Sequence, residues 1–189
     1  SAMRNNIVPL LILLLFSFIP HSQNLFAADQ WAIAKEGNKI ILIRHSLAPG
    51  SGDPTGFKIR DCNTQRNLNQ LGIEQSKKIG KLFKNKNIPV DKVLSSQWCR
   101  CKDTAKYAFG NFKEFSALNS TFQPPFDRNK LGQIKEIKKF VKNWNGKGKN
   151  LILITHYSII TAVTSSSPSS GEIVITDKNF NILSTIKTD

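Results

Sequence analysis

Histidine and cysteine are scarce in this chain, three of each among 189 residues. Three cysteines cannot all pair with one another, and Cys62, Cys99 and Cys101 lack the fourth ligand a metal site would need, so none is expected. Acidic residues are also few: 13 Asp and Glu stand against 27 Lys and Arg, a formal net charge of +14. Beyond residue 27 no apolar run reaches the roughly 20 residues needed to span a bilayer, so no transmembrane segment is expected there. Internal repeats and long low-complexity stretches are absent too, so the chain is not built as a repeat array.

The first 27 residues are different. Ser1-Ala2 ahead of Met3 reads as an expression scar. Arg4 supplies a positive start, Ile7 to Ile19 is apolar apart from Pro9 and Ser17, and Leu25-Phe26-Ala27-Ala28 offers a small-residue cleavage point after Ala27. This pattern predicts a cleaved secretory signal peptide and a periplasmic or secreted product. Residues 28–189 are then expected to form one domain, about 160 residues being enough for a sizeable core. In an oxidising compartment one disulfide is expected, from Cys62 to either Cys99 or Cys101, leaving one thiol.

The positive charge is mostly lysine, spread over Lys77, Lys78, Lys81, Lys84 and Lys86 and again over Lys135, Lys138, Lys139 and Lys142. These fall on the polar faces of predicted helices. A specific nucleic-acid site is therefore not expected, and weak attraction to anionic substrates or an acidic envelope surface is the modest inference.

Apolar blocks at 39–43, 90–95 and 151–155 predict buried strands, and 172–176 with 181–187 a closing hairpin. Helical spacing appears over about 69–86, with Leu71, Gln75, Ile79, Leu82 and Phe83 on one face, and over 101–109. After Pro124-Pro125 it returns, with Leu131, Ile134, Ile137, Phe140, Val141 and Trp144 in one stripe. A short helix is expected over 158–163. Alternating strands and helices imply a three-layer α/β/α sandwich with a mixed, mostly parallel sheet.

Two of these strands end in histidine. Ile40 to Ile43 leads into Arg44-His45, and Leu151 to Thr155 leads into His156. Since His21 lies in the leader, both remaining histidines are spent at strand ends. Ligand sites in open α/β sheets form beyond the carboxyl ends of the strands. Two imidazoles and an arginine meeting there suggest a site that handles phosphate.

The segments Ile43-Arg44-His45, Leu94 to Arg100 with Thr104-Ala105, and Ile154-Thr155-His156 resemble the three signature blocks of the histidine phosphatase superfamily, with its phosphoglycerate mutase-like fold. Between them, Asp61 to Leu68 and Leu71-Gly72-x-x-Gln75 resemble the family's loop and helix start. The resemblance implies a phosphatase acting through a phosphohistidine intermediate on His45, with Arg44, Arg100 and His156 binding the phosphoryl group. It implies a small phosphorylated substrate and no metal or other cofactor.

Two positions depart from the family pattern. Ser46 stands where glycine commonly follows the nucleophile. Asn119 occupies the region where many members have the glutamate that protonates the leaving group. Glu172, Asp61 and, more remotely, Asp53 are the substitutes within reach of the strand ends. Without an acid, acyl phosphates or phosphohistidine would be favoured substrates. The rival reading is a non-catalytic phosphate- or polyanion-binding envelope protein that kept the pocket and lost the acid.

Overall fold

The computed structural model describes residues 29–189, so the expected leader lies outside the described residues. Six strands form one sheet: β1 (Ile40–Arg44), β2 (Val90–Ser95), β3 (Lys113–Glu114), β4 (Asn150–Thr155), β5 (Ile173–Thr176) and β6 (Ile182–Ile186). Their order is β3-β2-β4-β1-β5-β6. The first four run parallel to their neighbours, while β5 is antiparallel to β1 and β6 to β5. The helices are α1 (Ala32–Lys35), α2 (Gln70–Asn85), α3 (Cys99–Phe109), α4 (Lys130–Asn143) and α5 (Tyr157–Thr164). This is the mixed, mostly parallel α/β/α arrangement expected from the sequence.

The side-chain period of two along a strand divides the core into two layers. Ile41, Ile43, Ile152, Ile154, Ile173 and Ile175 face one side, against Ala34 of α1, Ile79 and Phe83 of α2, and Cys101 and Ala105 of α3. Ile40, Leu42, Leu151, Leu153 and Val174 face the other, against Ile137 and Val141 of α4 and Ile159 and Ile160 of α5. Strands covered on both faces have no polar side, which is why β1 and β4 read as continuous apolar runs. Each buried Ile or Leu contributes about 1.5–3 kcal/mol of transfer free energy.

Two expectations for the helix faces need correction. Leu131 and Leu71 were expected on the apolar stripes, but they are 86% and 67% exposed. Both stand in the first turn of their helices. Open space beside Gly132 shows that the start of α4 projects into solvent. A third correction matters for function: α3 begins at Cys99, so Arg100 sits in the first turn of a helix that was expected to begin at Cys101.

Candidate active site

Parallel pairing brings the carboxyl ends of β1, β4 and β2 level. Arg44 is in register with Thr155 and Ser95 with Ile154, so His45, His156 and Ser96 follow at one edge of the sheet. Ladder bonds continue one step past the strands: His45 N–H donates to Thr155 O and Ser96 N–H to Ile154 O, each at 3.0 Å. Gly171 N–H reaches back to the carbonyls of both Arg44 and His45 at 3.1 Å. That close approach needs glycine, because φ is +70° there and a Cβ would strike the Gln75 amide.

His45 is 3% exposed and its Nδ1 lies 2.8 Å from the carbonyl oxygen of Ser46. A carbonyl only accepts, so Nδ1 carries the proton and Nε2 of the neutral ring keeps a free lone pair. Ser46, the departure from the family glycine, is tied down on both sides. Its N–H donates to Thr104 Oγ1 at 3.0 Å, and its hydroxyl accepts from Ser76 at 2.7 Å.

His156 lies edge-on to His45, ring centroids 5.5 Å apart, with the Trp98 ring at 5.5 Å as well. Its Nε2 is 2.8 Å from Ser96 Oγ. Asn119, found where an acid was sought, supports this contact from behind. Its Oδ1 takes Gln97 N–H at 2.8 Å and lies 3.3 Å from Ser96 Oγ.

Burial, reinforced by the Arg100 charge, holds both imidazoles well below the ordinary histidine value of 6.5. Both rings are therefore neutral at pH 7. His156 is thus not a standing cationic donor, although an arriving dianion would favour its protonation.

This depression has a consequence for stability. Below about pH 6.5 the unfolded chain takes up protons at these histidines and the folded chain does not, so acid favours unfolding. Stability is full above the unfolded value and is lost as pH falls toward the folded values. Thermal melts taken from about pH 7 down to about pH 5 should show a declining Tm, with a shallower decline in His156→Gln. A Tm that rises on acidification would contradict this assignment.

Arg100 is 2% exposed and grips Asp53 with both fork nitrogens, Nη1 to Oδ1 at 2.9 Å and Nη2 to Oδ2 at 3.2 Å. Asp53 also accepts from Trp98 Nε1 at 3.0 Å and from the N–H of Arg66 at 3.1 Å. Burial alone would raise the Asp53 pKa, but the Arg100 bonds and charge outweigh it and hold the carboxyl below the usual 3.8. Asp53 is accordingly an ionised anchor, unsuited to donate a proton near neutral pH.

Arg66, which the sequence reading did not single out, lines the same cavity as Arg44 and Arg100. Its Nε donates to Gly52 O at 2.6 Å and its Nη1 to Ala48 O. Nothing in the sequence separates it from Arg60 in the same loop. That residue points outward instead, its side chain 75% exposed. The Cys62–Cys99 disulfide ties the Arg66 loop to the start of α3, alongside a bond from Cys99 N–H to Gln65 Oε1 at 2.9 Å. Cys101 remains a buried thiol, raised to about 12 by desolvation.

The two remaining acid candidates lie elsewhere. Asp61 is exposed and caps the turn Cys62–Thr64 by accepting Asn63 N–H at 3.1 Å. Glu172 is buried and its carboxylate accepts Ser169 N–H at 3.3 Å. Neither lines the cavity, and both are spent on local loop geometry. No cluster that could hold a metal ion is present among the described residues.

The cavity itself measures about 130 Å³ and is bounded by Arg44, Arg66, Arg100, His45 and His156, with Ser120, Ser158, Phe122 and Tyr157 at its side. No Asp or Glu lines it among the described residues. Nε of Arg44 and Nε of Arg100 are buried donors without a partner. Three guanidiniums lining one cavity mark an anion site. Three guanidiniums against the Asp53 carboxylate, with both imidazoles neutral, leave a double positive charge that matches a phosphomonoester dianion.

Residues 40–120 match the family model described as histidine phosphatase superfamily (branch 1). Solved structures with similar folds include phosphoglycerate mutase from Thermus thermophilus, at 16% identity and TM-score 0.54, covering 80% of this chain and 99% of that one. The protein histidine phosphatase SixA, complexed with tungstate, aligns at 12% identity and TM-score 0.52 over 79% of this chain and 97% of its own. The product of open reading frame Rv3214 from Mycobacterium tuberculosis aligns at 16% identity and TM-score 0.55, covering 73% and 90%. Among curated proteins, none matches the sequence. Over residues 40–120 the chain is thus similar to the histidine phosphatase superfamily, and the solved structures show the same fold.

Proposed function

We propose that this protein is a phosphohydrolase that transfers a phosphoryl group to Nε2 of His45 and then to water. The observation that carries this reading is the His45 tautomer. With Nδ1–H committed to the Ser46 carbonyl, Nε2 is an unprotonated nucleophile inside a cavity of three arginines. In the first step Nε2 bonds to phosphorus as the bond to the leaving group breaks. Because Nδ1 keeps its proton, the phosphorylated ring is cationic, and the Ser46 carbonyl stabilises that charge. In the second step water bonds to phosphorus, the N–P bond breaks, neutral His45 returns and a proton passes to solvent. Arg44, Arg66 and Arg100 stabilise charge on the phosphoryl oxygens, where positioned donors contribute most.

With no carboxylate lining the cavity, the leaving group must depart without a proton from an Asp or Glu. A general acid typically contributes 10²- to 10⁴-fold, so substrates that need one lose about that factor. Acyl phosphates and phosphohistidine do not need one. A phosphohistidine protonated on its other ring nitrogen releases its side chain as neutral imidazole, and a protein histidine phosphatase is among the structures of similar fold.

Phosphate release from a panel of compounds tests this. Acetyl phosphate should exceed glycerol phosphate in kcat/KM by about 10³-fold. Equal rates on both would require an acid that the reading lacks. Absence of turnover on every compound, with phosphate still bound, would favour the non-catalytic binder.

A further inference from the structure

We infer that Phe122 and Tyr157 form an aromatic rim that selects phosphoryl compounds whose leaving group is a planar ring. This rests on the phosphoryl-binding reading of the cavity and specifies the substrate class it takes. In the cavity of about 130 Å³ a phosphoryl group held by the arginines leaves the rest of a substrate on the side bounded by Phe122 and Tyr157. Phe122 and Tyr157 stand on that rim, 63% and 41% exposed.

Single exposed apolar side chains are ordinary on protein surfaces and need no explanation. These two differ in being held in place beside a charged pocket. Phe122 projects from a segment whose preceding residues, Ser120 and Thr121, are each only 6% exposed. Thr121 N–H donates to Ser158 Oγ at 3.3 Å, which fastens the Phe122 segment to the start of α5, where Tyr157 sits. Gly52 lets the opposing loop lie close, since a Cβ there would meet Gln123 Oε1 at 2.9 Å and the Phe122 ring at 3.7 Å. On the other side the Arg44 guanidinium lies over the Tyr157 ring, 5.5 Å from its centroid. One of the cations that would hold the phosphoryl group is thus stacked on one of the rings that would hold its substituent.

The same rim explains how a site without a carboxylic acid could be productive. Ring-borne oxygens and nitrogens delocalise charge and leave more readily than alkoxides. A flat ring is also what aromatic faces bind in preference to an aliphatic chain. The two properties of the site, no carboxylate within and aromatic faces outside, point to one kind of ligand.

The inference is tested by equilibrium binding of two phosphonates that cannot be hydrolysed, phenylphosphonate and methylphosphonate, to the whole chain. The expected result is a phenylphosphonate Kd about tenfold lower than that of methylphosphonate. Phe122→Ala should bring the ratio to within about twofold, and Phe122→Tyr should restore it. Folding is not at issue for a side chain this exposed. Equal affinity of the wild-type chain for both phosphonates would overturn the inference while leaving the phosphoryl site intact. So would a phenyl preference that survives in the double variant Phe122→Ala, Tyr157→Ala. Failure to bind either phosphonate would overturn the phosphoryl site and the rim together.

Discussion

Replacing His45 by alanine should abolish phosphate release, lowering kcat/KM by at least about 10⁴-fold, the scale on which covalent nucleophiles act. The expectation follows from its position. His45 is the one group in the cavity that is both neutral and committed by its tautomer to offer a lone pair. His156 cannot substitute, because its Nε2 is engaged with Ser96. The arginines have no lone pair to give. His45→Gln checks that the loss is chemical, since it fills similar volume and can still donate toward the Ser46 carbonyl. Phosphate binding should survive in both variants while turnover does not. Retention of more than about a hundredth of wild-type turnover in either would remove His45 from the nucleophile's role.

The second large effect is expected at the buried pair. Arg100→Ala leaves the Asp53 carboxylate, only 3% exposed, without its cation. Removing one partner of such a pair typically costs about 3–5 kcal/mol, the low end being expected here because Trp98 and the Arg66 backbone still donate to Asp53. Activity should fall further, by about 10²- to 10³-fold in kcat/KM, as one of the donors facing the developing phosphoryl charge is lost. The double variant Arg100→Ala, Asp53→Ala should be less destabilised than the two single changes added together, since it leaves no unpaired charge. Additive melting shifts would show that the pair is not coupled. The sign of the Asp53 contribution is fixed by its depressed pKa. It stabilises fold and site above about pH 4 and is lost as pH falls through the folded value.

Much of the fold was legible because burial on both faces leaves a plain signature. Ile40 to Ile43 and Leu151 to Ile154 could be strands only in a sheet covered above and below, and both are fully buried. The same runs end in the two histidines, so the site edge followed from the strand ends and the parallel order. What the sequence did not disclose belongs to the long loop between β1 and α2. Asp53 there is an anchor for Arg100, Trp98 and Arg66, all distant from it in sequence, and no periodicity encodes such bonds. Arg66 was missed for the same reason, since its inward turn depends on the carbonyls of Ala48 and Gly52. Asp61 and Glu172 looked available because sequence gives proximity to the strand ends without direction. The cysteine pairing stayed open between Cys99 and Cys101 because those residues are neighbours in one helical turn. Rotation about α3 decides it, pointing Cys99 at Cys62 and Cys101 into the core.

The mechanism requires that phosphorus become bonded to the ring nitrogen of His45. Rapid quenching of the wild-type chain into alkali during turnover of acetyl phosphate, followed by mass spectrometry of its peptides, reads this directly, because phosphoramidates survive base. The expected result is the added mass of one phosphoryl group on the peptide carrying His45, and no such mass in His45→Gln. Steady turnover with every quenched peptide unmodified, or the group found on another residue, would contradict it.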